Sequence, residues 1–90
     1  MKILHLTLKK KWFDMILSGE KKEEYREIKD HWVTRIEGKS YDAIKFVNGY
    51  GKSRPSFMIE LKSIKRGSGI PWWGGKFGEI QYVLELGKIL

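Results

Sequence analysis

The chain has no cysteine, only two prolines and only two histidines among its 90 residues. Without cysteine there is no disulfide framework and no thiolate metal site, which agrees with a reducing, cytoplasmic setting. His5 and His31 have no second imidazole at ligand spacing, so no metal centre is expected. No apolar run reaches the length that spans a bilayer, and no membrane association is expected. The apolar patch in MKILHLTLKK is not followed by a small-residue cleavage site, so it reads as a first strand and not as a leader. No repeat, low-complexity tract or linker divides the chain, and nothing in the pattern calls for a cofactor. The expectation is a single domain, 1–90, with one modest core.

What the chain does have is positive charge. Eighteen Lys and Arg face eleven Asp and Glu, giving a net charge of +7 and a pI near 9.7. Each third of the chain is net positive, so a basic surface must be assembled by the fold and not by a tail. For so small a domain this balance points to an anionic partner, with nucleic acid the commonest choice. A solvated surface is the competing explanation for the same charge.

Residues 3–8 alternate, with Leu4, Leu6 and Leu8 on one face, which predicts a strand. Leu8, Trp12, Met15 and Ile16 then recur at helical spacing. Thr7 is placed to cap that helix and Gly19 lies just past its end. Lys9, Lys10 and Lys11 fall in the first turn, where the helix dipole disfavours cations. Asp30 is placed to cap a second short helix, with Trp32, Val33 and Ile36 as its apolar side and Gly38 after it. Strands follow at 41–47, 57–64 and 80–86. Two glycine-rich connections, NGYGKSRP at 48–55 and GSGIPWWGGKFG at 67–78, separate them. Strands do not alternate regularly with helices, so a doubly wound sheet is not expected. The fold class expected is α+β: a small curled sheet or β-barrel of about five to six strands with two short helices.

Between the two helices lies GEKKEEYREI at 19–28. It has no apolar helical stripe and is expected to be extended. In that conformation Glu24 and Arg26, two apart, share a face. Lys21 belongs to the opposite face of a regular strand unless a bend after Gly19, or a bulge, turns it. A Lys, a Glu and an Arg on one concave surface can neutralise one another, or offer donors and an acceptor to a polar ligand.

Gly19, Lys21, Glu24 and Arg26 match all four fixed positions of G-x-K-x-x-E-x-R, and in this respect the chain resembles the ASCH domain, a branch of the PUA-like superfamily. The strand and helix before the motif, and IKFVNGYGKSRP after it, are similar to the short ASCH proteins of phages and bacteria. The resemblance covers nearly the whole chain. It implies a PUA-like barrel with a cleft lined by the signature residues and a nucleic-acid context, chiefly RNA. Some relatives carry K-x-x-T-x-R and are linked to hydrolysis of acetylated cytidine, with Lys and Thr as catalytic groups. Other relatives are linked to ribonuclease activity. Here Glu24 stands where the Thr would be, so that hydroxyl nucleophile is missing.

Two connections carry further candidates. In the first, Asn48, Tyr50, Lys52 and Arg54 combine an aromatic ring and two cations with glycines that permit close approach to a ligand. An ordinary hairpin is the alternative, and the resemblance favours the ligand-binding reading. In the second, one of Trp72 and Trp73 is expected to pack as a lid, and the other to offer a stacking platform. The leading expectation is an RNA- or modified-nucleotide-binding module using Lys21, Glu24 and Arg26. The alternatives are a small hydrolase of RNA or acetylated nucleosides, with Lys21 and Glu24 activating water, and a regulatory module that grips another protein.

Overall fold

The structure is a computed structural model that describes residues 1–49 and 54–90. Its elements run β1 (Ile3–Leu8), α1 (Lys10–Leu17), β2 (Glu23–Glu27), α2 (Asp30–Ile36), β3 (Ala43–Asn48), β4 (Ser56–Ser68), a single 3-10 turn (Pro71–Trp73) and β5 (Ile80–Ile89). The five strands form one curled sheet in the order β1-β3-β4-β5-β2. Only β1 and β3 run parallel; the other three pairs are antiparallel. This is the α+β architecture expected, with the charged stretch supplying the edge strand β2.

The core fills the concave side. Leu4, Leu6 and Leu8 of β1, Ile44 and Phe46 of β3, Ile59 and Leu61 of β4, and Leu84 and Leu86 of β5 are all buried there, with Phe13 and Ile16 of α1 pressed onto them. The alternation of these positions is the two-residue period of a half-buried strand. Phe57 joins α1 to the sheet, its ring edge-on to Phe13 at 4.9 Å and tilted to Phe46 at 5.8 Å. β5 is buried on both faces from Gln81 to Leu84. The 67–78 connection folds back over its convex side, where Gln81 Oε1 accepts the Lys76 amide at 3.0 Å. Ile80, the first residue of the strand expected over 80–86, is largely exposed.

Two helix starts differ from expectation. Thr7 does not cap α1: Leu8 stays in the ladder opposite Asn48, and the helix starts after Lys9, which makes no side-chain cap. Strand pairing has overridden the capping preference. Asp30 is already the first residue of α2, with Lys29 before it; there its carboxylate still suits the positive end of the helix dipole. At both helix C-termini the expected glycines, Gly19 and Gly38, take the left-handed conformation.

Phe46 has no exposed surface. Phe46→Ala is expected to lower the unfolding free energy by about 3–5 kcal/mol, measured by urea denaturation. A loss below about 1 kcal/mol would mean that the ring is not part of a packed core.

Candidate functional site

The charged stretch begins with a reversal. Ser18 ends α1, and Gly19 follows at φ +87°, a conformation that suits glycine. The Lys21 amide then bonds back to the Met15 carbonyl at 2.9 Å. This bend carries the Lys21 side chain inward before the strand proper starts. β2 next pairs antiparallel with β5, placing Glu24 opposite Leu84 and Arg26 opposite Tyr82. Directly opposed residues share a face, so Glu24 and Arg26 are on the side of the sheet that holds the core.

The three expected residues therefore meet. Lys21 Nζ lies 3.1 Å from Glu24 Oε1, and an Arg26 terminal nitrogen lies 2.7 Å from Glu24 Oε2. Exposure of their side chains is 1% for Lys21, 8% for Glu24 and 16% for Arg26. One carboxylate thus serves two cations, and the three-residue cluster carries a surplus positive charge. The Nε of Arg26 is buried and has no hydrogen-bond partner.

Surrounding groups complete the shell. Lys21 donates to the Trp73 carbonyl, and its ammonium lies 4.9 Å from the ring centres of both Trp12 and Tyr25. Burial pushes the Lys21 ammonium below the ordinary lysine range, against the opposing pull of Glu24. The Tyr25 hydroxyl donates to Glu23 at 2.7 Å and accepts the Ile70 amide at 3.0 Å, tying the 67–78 connection to β2. Burial, with the Glu23 and Glu24 carboxylates adding to it, raises the pKa of that hydroxyl well above the usual phenol value. Arg26 donates to the Thr7 carbonyl at 3.2 Å, reaching across from β2 to β1, the opposite edge strand. Its guanidinium lies over the Trp32 ring of α2 at 4.8 Å, and that of Arg35 over the same ring at 5.0 Å.

The remaining candidates lie around this cluster to different degrees. Asn48 closes the β3–β4 turn through its amide to Pro55, and the next amide, Gly49, bonds to Leu8 of β1. Asn48 and the exposed Arg54 are therefore at the same end of the sheet as Lys9 and the start of α1, one residue on from the carbonyl that Arg26 holds. Tyr50 and Lys52 lie outside the described residues. Trp72 is 70% exposed, whereas Trp73 is half-buried and gives its carbonyl to Lys21. The connection carrying them is drawn tight. A Cβ on Gly75 would lie 2.3 Å from the Gly69 carbonyl carbon, so only glycine fits that crossing.

Trp12, Trp32 and Tyr25 were not foreseen as part of the cluster. Trp12 and Trp32 stand in the apolar stripes of their helices, and their spacing gives no sign that one ring face meets a cation. Among the described residues, no group of three or more His, Asp or Glu is placed to hold a metal ion, and no helix is long and apolar enough to cross a membrane.

Compared with protein-family models, curated proteins and solved structures, the chain has no match.

Removing the shared carboxylate would strand two nearly buried cations. Glu24→Ala is expected to cost about 3–5 kcal/mol in chemical denaturation. The pH dependence offers an independent check. Lys21 titrates lower in the folded protein than its ordinary value of 10.5, so between the two values the unfolded chain binds more protons. The Lys21 contribution to stability therefore rises with pH across that window and is flat below it. The difference between the stability curves of the parent and Lys21→Met should show this slope; parallel curves would mean that Lys21 titrates as an exposed lysine.

Proposed function

We propose that the chain is an ASCH-like domain that binds RNA or a modified nucleotide at the Lys21–Glu24–Arg26 cluster. One observation carries this reading: two cations share a single carboxylate in a nearly buried cluster, and the Arg26 Nε–H is left without an acceptor. A buried donor without a partner costs about 1–3 kcal/mol. A phosphate oxygen or a base carbonyl at the exposed part of the Arg26 side chain would offset the surplus charge, and a turn of the guanidinium would bring the buried Nε–H to it. The match of Gly19, Lys21, Glu24 and Arg26 to the ASCH signature supports the same ligand class.

The surroundings suit a nucleotide. Lys9, Lys11 and Arg54 give the adjacent rim a positive potential, and among the described residues none of them has a carboxylate partner. The exposed Trp72 offers a face for base stacking, and Tyr50 and Lys52 belong to the connection beside Arg54. The hydrolase alternative requires Glu24 to take a proton from water. Both its oxygens are held by cations, so the geometry favours binding over turnover. Nothing in the site favours the protein-gripping alternative.

Arg26→Ala should weaken RNA binding by about tenfold to a hundredfold, the worth of one bidentate contact, and Arg26→Lys should restore only part of it. Affinity by fluorescence anisotropy and melting temperature are to be read on the same samples. If Arg26 serves only as a bridge to Glu24 and Thr7, the alanine variant will melt earlier yet bind as well as the parent when folded. Binding of the parent should also fall steeply with salt, with a log–log slope of about −0.7 for each phosphate contacted on a single strand. A flat profile over a tenfold rise in salt would remove the electrostatic part of the proposal.

A further inference from the structure

The far end of the sheet has its own basic surface. At the start of β1 and β3, the segment from Gly38 to Tyr41 is bordered by three adjoining cavities of about 200, 270 and 410 Å³, and Lys39 lines all three. Their walls carry five cations: Lys2, Lys39, Lys62, Lys65 and Arg66. Glu37 is the one carboxylate on those walls. From the flanks, Glu85 reaches Lys62 and Lys65 at 3.5 and 3.8 Å, and Asp42 accepts the Lys2 amide. Cations still exceed carboxylates when these two are included.

The acidic group inside the groove is fixed by its neighbours. Glu37 accepts from Arg66 and from the buried Tyr82 hydroxyl, the latter at 2.6 Å. Tyr82 can go on holding Glu37 if Arg66 turns to another anion. Lys39 makes no ion pair among the described residues. The Lys62 and Lys65 pairs are long and more than half exposed on the lysine side, so they yield readily to a competing anion. Ser40, Ser63 and Tyr41 supply neutral polar or aromatic lining between the charges.

We infer that this groove is a second nucleic-acid contact, a track for the phosphodiester backbone of a single strand. A run of cavities with cations along it suits a chain of phosphates better than one compact anion. Its Lys2 end lies about 20 Å, the length of the six-residue β1, from the Lys9–Arg54 rim, while its Tyr82 wall stands opposite Arg26 in the sheet. The inference stands on the groove's own cations and not on the reading of Lys21, Glu24 and Arg26.

Charge reversal at each end separates the two. Lys39→Glu with Lys65→Glu alters the groove, and Lys9→Glu with Lys11→Glu alters the rim of the signature cluster; all four are exposed lysines. The probe is a fluorescent oligouridylate longer than the molecule, whose largest extent is 33 Å, with uridine monophosphate as the small-anion comparison. The groove variant is expected to bind the oligonucleotide at least tenfold more weakly, with a shallower salt slope and an unchanged melting temperature. The backbone amides of Gly38–Tyr41 should shift on adding the oligonucleotide but not on adding the mononucleotide. Unchanged affinity in the groove variant would overturn the inference, even if the rim variant loses binding and the signature reading stands. Loss in the groove variant alone would support the groove and count against the rim. Equal amide shifts with uridine monophosphate at the same concentration would mean a pocket for small anions and would overturn the track.

Discussion

The Glu24 carboxylate, held between Lys21 and Arg26, is the constraint on which the rest of the arrangement turns. A charged group taken out of water is tolerated only when its partners are in place. Each partner here is also attached to something else: Lys21 to the Trp73 carbonyl in the 67–78 connection, and Arg26 to the Thr7 carbonyl on β1 and the ring of Trp32. One carboxylate thus sets the position of an edge strand, a long connection and the second helix together. β2 and β1 lie at opposite edges of the sheet order, and the side chain of Arg26 reaches from one to the other.

Sharing of carboxylates recurs across the surface. Glu27 meets Lys29 and Lys76, and Glu85 meets Lys62 and Lys65. The hydrogen bond from Lys29, then that from Lys76, holds the Glu27 carboxyl below its ordinary range. A chain with seven more cations than carboxylates achieves local pairing by giving several acids two partners each. Most of these pairs are exposed and weak. Among the described residues, the cations left without a carboxylate include Lys9, Lys11 and Arg54 near the start of α1 and Lys39 in the Gly38–Tyr41 segment. These two places sit at opposite ends of the β1–β3 pair.

Much of the fold was legible because one face of most strands is wet. Leu4, Leu6 and Leu8, or Ile44 and Phe46, alternate cleanly, and the glycines after both helices mark their ends. The second half of β4, from Lys65 to Ser68, was not legible. It is polar and exposed, and it is strand only because β5 pairs with it. The parallel pairing of β1 with β3 depends on contacts 40 residues apart in sequence, which no local pattern encodes. At the candidate site, the shared face of Glu24 and Arg26 followed from their spacing. The inward turn of Lys21 depended on a single bend at Gly19, and the aromatic walls around it depended on how the helices dock. The double burial of β5 came from the connection folding across it, an event the glycines permit but do not specify.

The outer edge of β1 carries a further consequence. On that edge the His5 carbonyl accepts from Arg35 at 2.7 Å and the Thr7 carbonyl from Arg26 at 3.2 Å. An uncovered strand edge is a template on which a foreign strand can add. Here two of the acceptors such a strand would need are already taken by two guanidinium groups, both lying over the Trp32 ring. Two cationic side chains thus cover part of an open sheet edge.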